Sequence, residues 1–159
     1  MDASLIDRAM AIIDALKEKG VILNGDGIFD KRAVAKWIEW APTVGVAATA
    51  PVPFTREEVA GSDCIVKAMK LIPFLVLKTT RKGMVGSYGL KHRIEKLITT
   101  ETRGSYMENG QAILAMLLLR YTIIYSKDGS WNCTFHCKYA LNDHYQERGG
   151  LWLETWQKL

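Results

Sequence analysis

Apolar residues recur at helical spacing along much of the chain, and one stretch is apolar on every side. Ala112 to Leu119 contains no polar residue, so a helix there has no face to turn to water and must be wrapped by other elements. Residues Gln111 to Leu119 are therefore expected to form a buried central helix. Just before it, Leu90, Ile94, Leu97 and Ile98 fall on one stripe of a helix over Ser87 to Ile98, which leaves Lys91, Arg93, Glu95 and Lys96 mostly outward. The polar residues between the two helices end in Asn109-Gly110, read as a turn.

The amino-terminal part carries a weaker but regular pattern. Leu5, Ile6, Ala9, Met10, Ile12, Ile13 and Leu16 predict an amphipathic helix, opened by Ser4 or Asp2 as a cap and closed by Lys17, Lys19 and Gly20. Val21 to Leu23 step into a glycine-containing turn. Asp30 then caps a second helix over Lys31 to Ala41, with Ala33, Val34, Trp37, Ile38 and Trp40 as its apolar positions and Pro42 as its stop. Residues 1–41 thus predict a helical hairpin. Pro42 to Phe54 has three prolines and no charge, which makes it an extended connector, either a boundary or a strap lying along the main body.

Thr55 with Glu58 is a capping box for a third helix that packs Val59, Ile65, Val66, Met69 and Leu71, with Gly61-Ser62 as a point of division and Pro73 as an end or kink. Phe74 to Leu77 suits either a helix or a buried strand. Lys78 to Gly86 has loop composition. From Tyr121 the pattern changes: Thr122 to Tyr125 and Trp131 to His136 are β-branched or aromatic and flank Lys127-Asp128-Gly129-Ser130, which predicts a β-hairpin near residues 121–137. A short helix over Tyr139 to Glu147 and a tail beyond Gly149-Gly150 complete the chain. The whole reads as a mainly α-helical α+β fold. Residues 1–41 form a helical hairpin, 42–54 a linker, and 55–159 a helical core around a buried central helix with one β-hairpin.

Charge changes this picture at one place. Lys78, Arg81, Lys82, Lys91, Arg93, Lys96 and Arg103 lie within one segment against only Glu95 and Glu101, and this segment accounts for the chain's net charge of +4. No apolar run approaches the roughly 18 residues of a membrane span, and the first residues lack a signal-peptide pattern. Three cysteines are too few for a disulfide framework, so free thiols in a reducing cytoplasm are expected.

The candidate chemical motifs are thin. Asn24 to Asp30 resembles the middle of a calcium loop but lacks ligands at both ends, Ile22 and Ala33 standing where the first and twelfth should be, so it reads as a turn followed by a cap. Cys133, His136, Cys137 and His144 are zinc-type residues, but on a strand 133 and 136 point to opposite faces. His92 and Glu95 are one helical turn apart, with only Ser87 and Tyr88 near them as nucleophiles, and no catalytic set assembles. No cofactor, no metal and no enzymatic activity are expected. The glycines after Arg81 and Lys82 do not form a nucleotide-hydrolysing phosphate loop, yet the segment leads into a helix amino terminus, and a basic segment with Tyr88 or Tyr106 to stack on a base suits nucleic acid.

The sequence Ser87-Tyr88-Gly89-Leu90-Lys91-His92 with Glu95, followed by Tyr106-x2-Asn109-Gly110 before an apolar helix, resembles a pattern in short phage and bacterial proteins that carry no assigned activity. The resemblance covers about forty residues. It implies a phage or mobile-element setting and transfers no site residue.

Two functions remain. The first is a small non-enzymatic protein that binds nucleic acid through Lys78, Arg81, Lys82, Lys91, Arg93, Lys96 and Arg103, with Tyr88 stacking on bases. The second is a phage-type inhibitor or adaptor that engages a host protein complex through Trp152 and Trp156 in the tail, where a glycine hinge precedes two large aromatic anchors.

Overall fold

The computed structural model describes residues 1–79, 85–98 and 106–140. The elements run α1 (Ala3–Glu18), β1 (Ile22–Leu23), β2 (Ile28–Phe29), α2 (Lys31–Trp40), a 3₁₀ turn (Ala41–Val44), α3 (Arg56–Ala60), α4 (Asp63–Leu75), β3 (Val76–Lys78), β4 (Val85–Gly86), α5 (Ser87–Ile98), α6 (Asn109–Leu118), β5 (Ile123–Tyr125), β6 (Cys133–Phe135) and β7 (Cys137–Tyr139). Helices dominate and the strands form small antiparallel sheets, so the fold is a mainly helical α+β one.

α6 is the centre. Ala112, Ile113, Leu114, Ala115, Met116 and Leu118 are all buried, and α4, α5 and α1 pack around them. Burying an Ile, Leu or Met side chain is worth about 1.5–3 kcal/mol each, so this one helix anchors much of the core. Its partners contribute the stripes their patterns imply: Ala9 and Ile13 from α1, Ile65, Ala68, Leu71 and Ile72 from α4, and Leu90, Ile94 and Ile98 from α5. A single contiguous cluster of buried side chains includes residues from both sides of the 42–54 stretch. Within that stretch the chain makes the 3₁₀ turn and then runs extended to Phe54, which is itself buried and whose N–H donates to the Leu23 carbonyl.

Helix boundaries follow the expected chemistry, with one revision. Asp2, rather than Ser4, caps α1, its carboxylate accepting from the Leu5 N–H, and Asp30 caps α2 by accepting from Arg32 and Ala33. The Thr55–Glu58 capping box is reciprocal, and Gly61-Ser62 separates α3 from α4. Asn109-Gly110, expected as a turn, instead opens α6, with Glu108 and Gln111 closing a capping box across its first turn. Both residues are buried.

The carboxyl ends of α1 and α6 are built alike. In α1 the Gly20 and Val21 N–H groups return to the carbonyls of Lys17 and Leu16, and Gly20 has φ +73°. In α6 the Arg120 and Tyr121 N–H groups return to Leu117 and Met116, but the left-handed position, φ 61°, is held by Arg120. A side chain there costs about 1 kcal/mol relative to glycine. Arg120→Gly is expected to raise stability by about 0.5–1 kcal/mol, seen as a higher midpoint in urea with an unchanged m-value.

The strands exceed the one expected hairpin. β5 and β6 pair as that hairpin, with Ile124 opposite Thr134, and β4 joins the other edge of β6, with Val85 opposite Phe135. Val85-Gly86, given to a loop by its composition, is therefore a strand. It is pulled into the sheet by a buried Val85 beside Phe135. The ambiguous stretch before Lys78 resolves as helix to Leu75 and strand from Val76, and Pro73 sits in the last turn of α4, where its ring faces solvent. β3 pairs with β7, with Leu77 opposite Lys138. Tyr139, expected at the start of a helix, is the last residue of that strand. The remainder of the expected helix, the glycine hinge and the tail lie outside the described residues.

Candidate nucleic-acid interface

α5 presents the chemistry of the basic segment. Tyr88, His92 and Lys96 fall at i, i+4 and i+8, one stripe along the helix, with Lys91 and Glu95 on the adjacent row. Glu95 organises the group. One carboxylate oxygen accepts from the Lys91 ammonium at 3.2 Å and from the Met107 N–H at 3.0 Å, while the other meets His92 Nδ1 at 3.0 Å. The ammonium in turn lies over the Tyr106 ring, 4.3 Å from its centroid, and 5.7 Å from that of Tyr88. Tyr88 and His92 are edge to face at 4.4 Å. Because Met107 follows Tyr106 directly, the same carboxylate ties both the helix and the chain entering α6.

The expectation that Lys91 points outward is corrected. Its residue surface is only 3% exposed, and its charge is spent on Glu95 and on two aromatic faces. The physical reason is that a Lys stem is apolar and can be covered while its head reaches a carboxylate four residues on. The i, i+4 spacing of Lys91 and Glu95 was legible in the sequence, but the Met107 N–H that completes the site was not.

The other basic positions separate. Lys78 donates to the Leu119 carbonyl at 3.1 Å and lies over the Tyr121 ring, and Arg8 donates to the Leu118 carbonyl at 3.2 Å. Both cations thus serve the carboxyl end of α6, where unpaired carbonyls and the helix dipole favour positive charge. That end is about 15 Å of helix away from the end that Tyr106 precedes. The Arg93 guanidinium lies 3.7 Å from the Tyr139 ring centroid. Lys96 is exposed. Arg81, Lys82 and Arg103, like Trp152 and Trp156, lie outside the described residues.

The remaining motifs take structural positions. Asn24 Oδ1 accepts from the N–H groups of Asp26 and Gly27, which makes the calcium-like sequence an Asx turn. Ser87 is fully buried, and its hydroxyl accepts the Cys133 N–H at 3.2 Å, an engagement with β6. Cys133 and Cys137 are buried free thiols, and burial pushes them up to about 12 and about 11, far from the range of a reactive thiolate. His144 lies outside the described residues; among those described, no group of His, Cys, Asp and Glu residues is placed to hold a metal ion.

A second aromatic group forms where α2 meets the 131 region. Trp37 sits edge-on to Phe29 at 5.4 Å and to Trp131 at 5.3 Å, and Trp40 tilts against Trp131 at 5.1 Å. Trp131 was placed only as a strand residue by its sequence, and long-range packing makes it the centre of this group. Beyond it Ile38, Trp40, Val44, Val46 and Val52 leave large apolar surface exposed.

No family model matches the chain, and neither a curated protein nor a solved structure matches it. Among the described residues no helix is long and apolar enough to cross a membrane.

Proposed function

We propose that the protein is a small non-enzymatic nucleic-acid-binding protein acting in the cytoplasm, with the outer stripe of α5 and its flanking basic residues as the contact surface. The observation that carries this reading is that the segment from Lys78 to Arg103 holds a surplus of positive charge which the rest of the chain lacks, with two exposed tyrosines, Tyr88 and Tyr106, in and beside it. Phosphates would be met by Lys96, Arg93, Arg81, Lys82 and Arg103. In this reading Lys91 acts from beneath the surface by holding the aromatic rings, and Lys78 contributes field rather than contact.

Binding to a labelled oligonucleotide should fall steeply with salt, log K declining by about 0.7–0.9 per phosphate contact for each tenfold rise in salt. Reversing charge at Arg81 and Lys82 to Glu should weaken binding across all sequences and flatten that slope by roughly one to two contacts. Unchanged affinity and slope in that variant, measured by anisotropy, would remove the reading.

A second reading, a phage-type adaptor for a protein complex, draws on the exposed apolar stretch from Ile38 to Val52 as well as on Trp152 and Trp156. It requires partner capture that survives nuclease treatment and is lost on deleting residues 149–159.

A further inference from the structure

We infer that the α5 surface recognises unpaired bases, so that the ligand class is single-stranded nucleic acid rather than duplex. This rests on the nucleic-acid reading above and deepens it. A phosphate contact uses at most the hydroxyl of a tyrosine, whereas a single strand also offers base faces on which its ring stacks. Tyr88 is 54% exposed and Tyr106 is 71% exposed, although both are large and partly apolar.

These rings are held, not loose. The Lys91 ammonium lies over both, 5.7 Å from the centroid of Tyr88 and 4.3 Å from that of Tyr106. Lys91 is itself fixed by Glu95, which also accepts from the N–H of Met107, the residue after Tyr106. His92 braces Tyr88 at 4.4 Å and is in turn bonded to Glu95. Both rings thus lie against one buried cation, and both remain largely exposed. Pre-set rings bind bases without first losing side-chain freedom, which is why aromatic platforms favour residues with few rotatable bonds.

The chemistry argues against the duplex. In a double helix the base faces are covered by their neighbours in the stack, so paired nucleic acid offers Tyr88 and Tyr106 phosphates, sugars and base edges but no face on which to stack. A single strand offers both the charge that the basic residues seek and the faces that the tyrosines seek. Lys96, one turn beyond His92 on the same stripe, is exposed and in this reading meets a backbone phosphate.

The test is fluorescence anisotropy on the full chain, using a dye-labelled single strand of about twelve nucleotides and its duplex at two salt concentrations. Tighter binding of the single strand is expected. The double variant Tyr88→Leu, Tyr106→Leu should lose at least about tenfold in single-strand affinity with the salt slope unchanged. Tyr88→Phe with Tyr106→Phe, which keeps the ring faces, should bind as the native chain does, and an unchanged melting temperature of the Leu pair excludes a folding defect as the cause of its loss. Equal affinity for duplex and single strand, or full binding by the Leu pair, would overturn the stacking inference while leaving salt-dependent nucleic-acid binding in place. Absence of binding to either probe at low salt would overturn both.

Discussion

Replacing Gly110 by alanine is expected to destabilise the protein by about 4 kcal/mol or more, lowering the melting temperature by roughly 10 °C, because the added methyl has nowhere to go. A Cβ at this position would lie 1.5 Å from the Asn24 carbonyl oxygen, a backbone atom held from several sides. The Gly110 N–H donates to the Gly25 carbonyl at 2.8 Å, Asn109 Nδ2 donates to the Asp26 carbonyl at 3.1 Å, and the Ile28 N–H donates to the Trp131 carbonyl at 2.9 Å. Gly27 is likewise constrained, since a Cβ on it would meet the Trp131 carbonyl oxygen at 2.2 Å, whereas a Cβ on Gly25 would meet the far end of the Glu108 side chain at 2.6 Å, which can move aside. The turn between β1 and β2 is thus plugged into the amino end of the central helix, backbone against backbone. Alanine at Gly110 must eject the turn and leave buried amide groups without partners. Gly86→Ala is the control: no atom lies within 4 Å of its Cβ position, and differential scanning calorimetry should find it within about 1 kcal/mol of the native chain.

Glu95→Gln is expected to cost about 3–5 kcal/mol, since it leaves the Lys91 ammonium buried with no counter-charge. The Lys91 side chain is 4% exposed and that of Glu95 16%, so water cannot take over the lost role. Gln keeps an oxygen for only part of the set of donors that the carboxylate satisfies. Lys91→Met should be milder, because its apolar stem is retained and the Glu95 carboxylate left behind is less deeply buried and keeps the Met107 N–H and His92 as partners. Adding it to Glu95→Gln should recover part of the loss, a coupling that a double-mutant cycle in urea measures. Additive losses in that cycle would mean that the two side chains do not act as a pair. The same variant bears on binding: with Glu95 neutral, Tyr106 and Tyr88 lose their common support, so single-strand affinity should fall even though neither ring has changed.

The charge distribution and the helix stripes were readable from the sequence for local reasons. α5 begins and ends at Ser87 and Ile98 as its pattern implies, because a helical stripe is set by residues within two turns of one another. The caps Asp2, Asp30 and Thr55 are likewise short-range, and α6 is buried because from Ala112 onward it has no polar side chain to turn to water. Val85 and Tyr139 were misplaced because a two- or three-residue strand has almost no pattern of its own. What makes each a strand is a partner, Phe135 for the one and Val76 for the other, far away in the chain.

The site shows the same division. The surplus of charge, the tyrosines and the His92–Glu95 spacing are properties of the order of residues, and they pointed to α5. Which cation faces solvent is not such a property. Lys91 and Lys96 are chemically identical and five residues apart on one helix, yet one is enclosed and the other exposed, because Tyr106 lies against the first and Met107 is tied to its partner Glu95. Lys78 and Arg8 could not be assigned to the carboxyl end of α6 until the helix had neighbours. Asn24-Gly25 and Asn109-Gly110 both looked like turns, since glycine's freedom of φ is what a local reading detects. Only the tertiary structure shows that the second glycine is there for its missing side chain, where two backbones meet. The sequence by itself determined the helices, their caps and the sign of the surface; the packing of elements distant in the chain decided which of those charges remain available to a ligand.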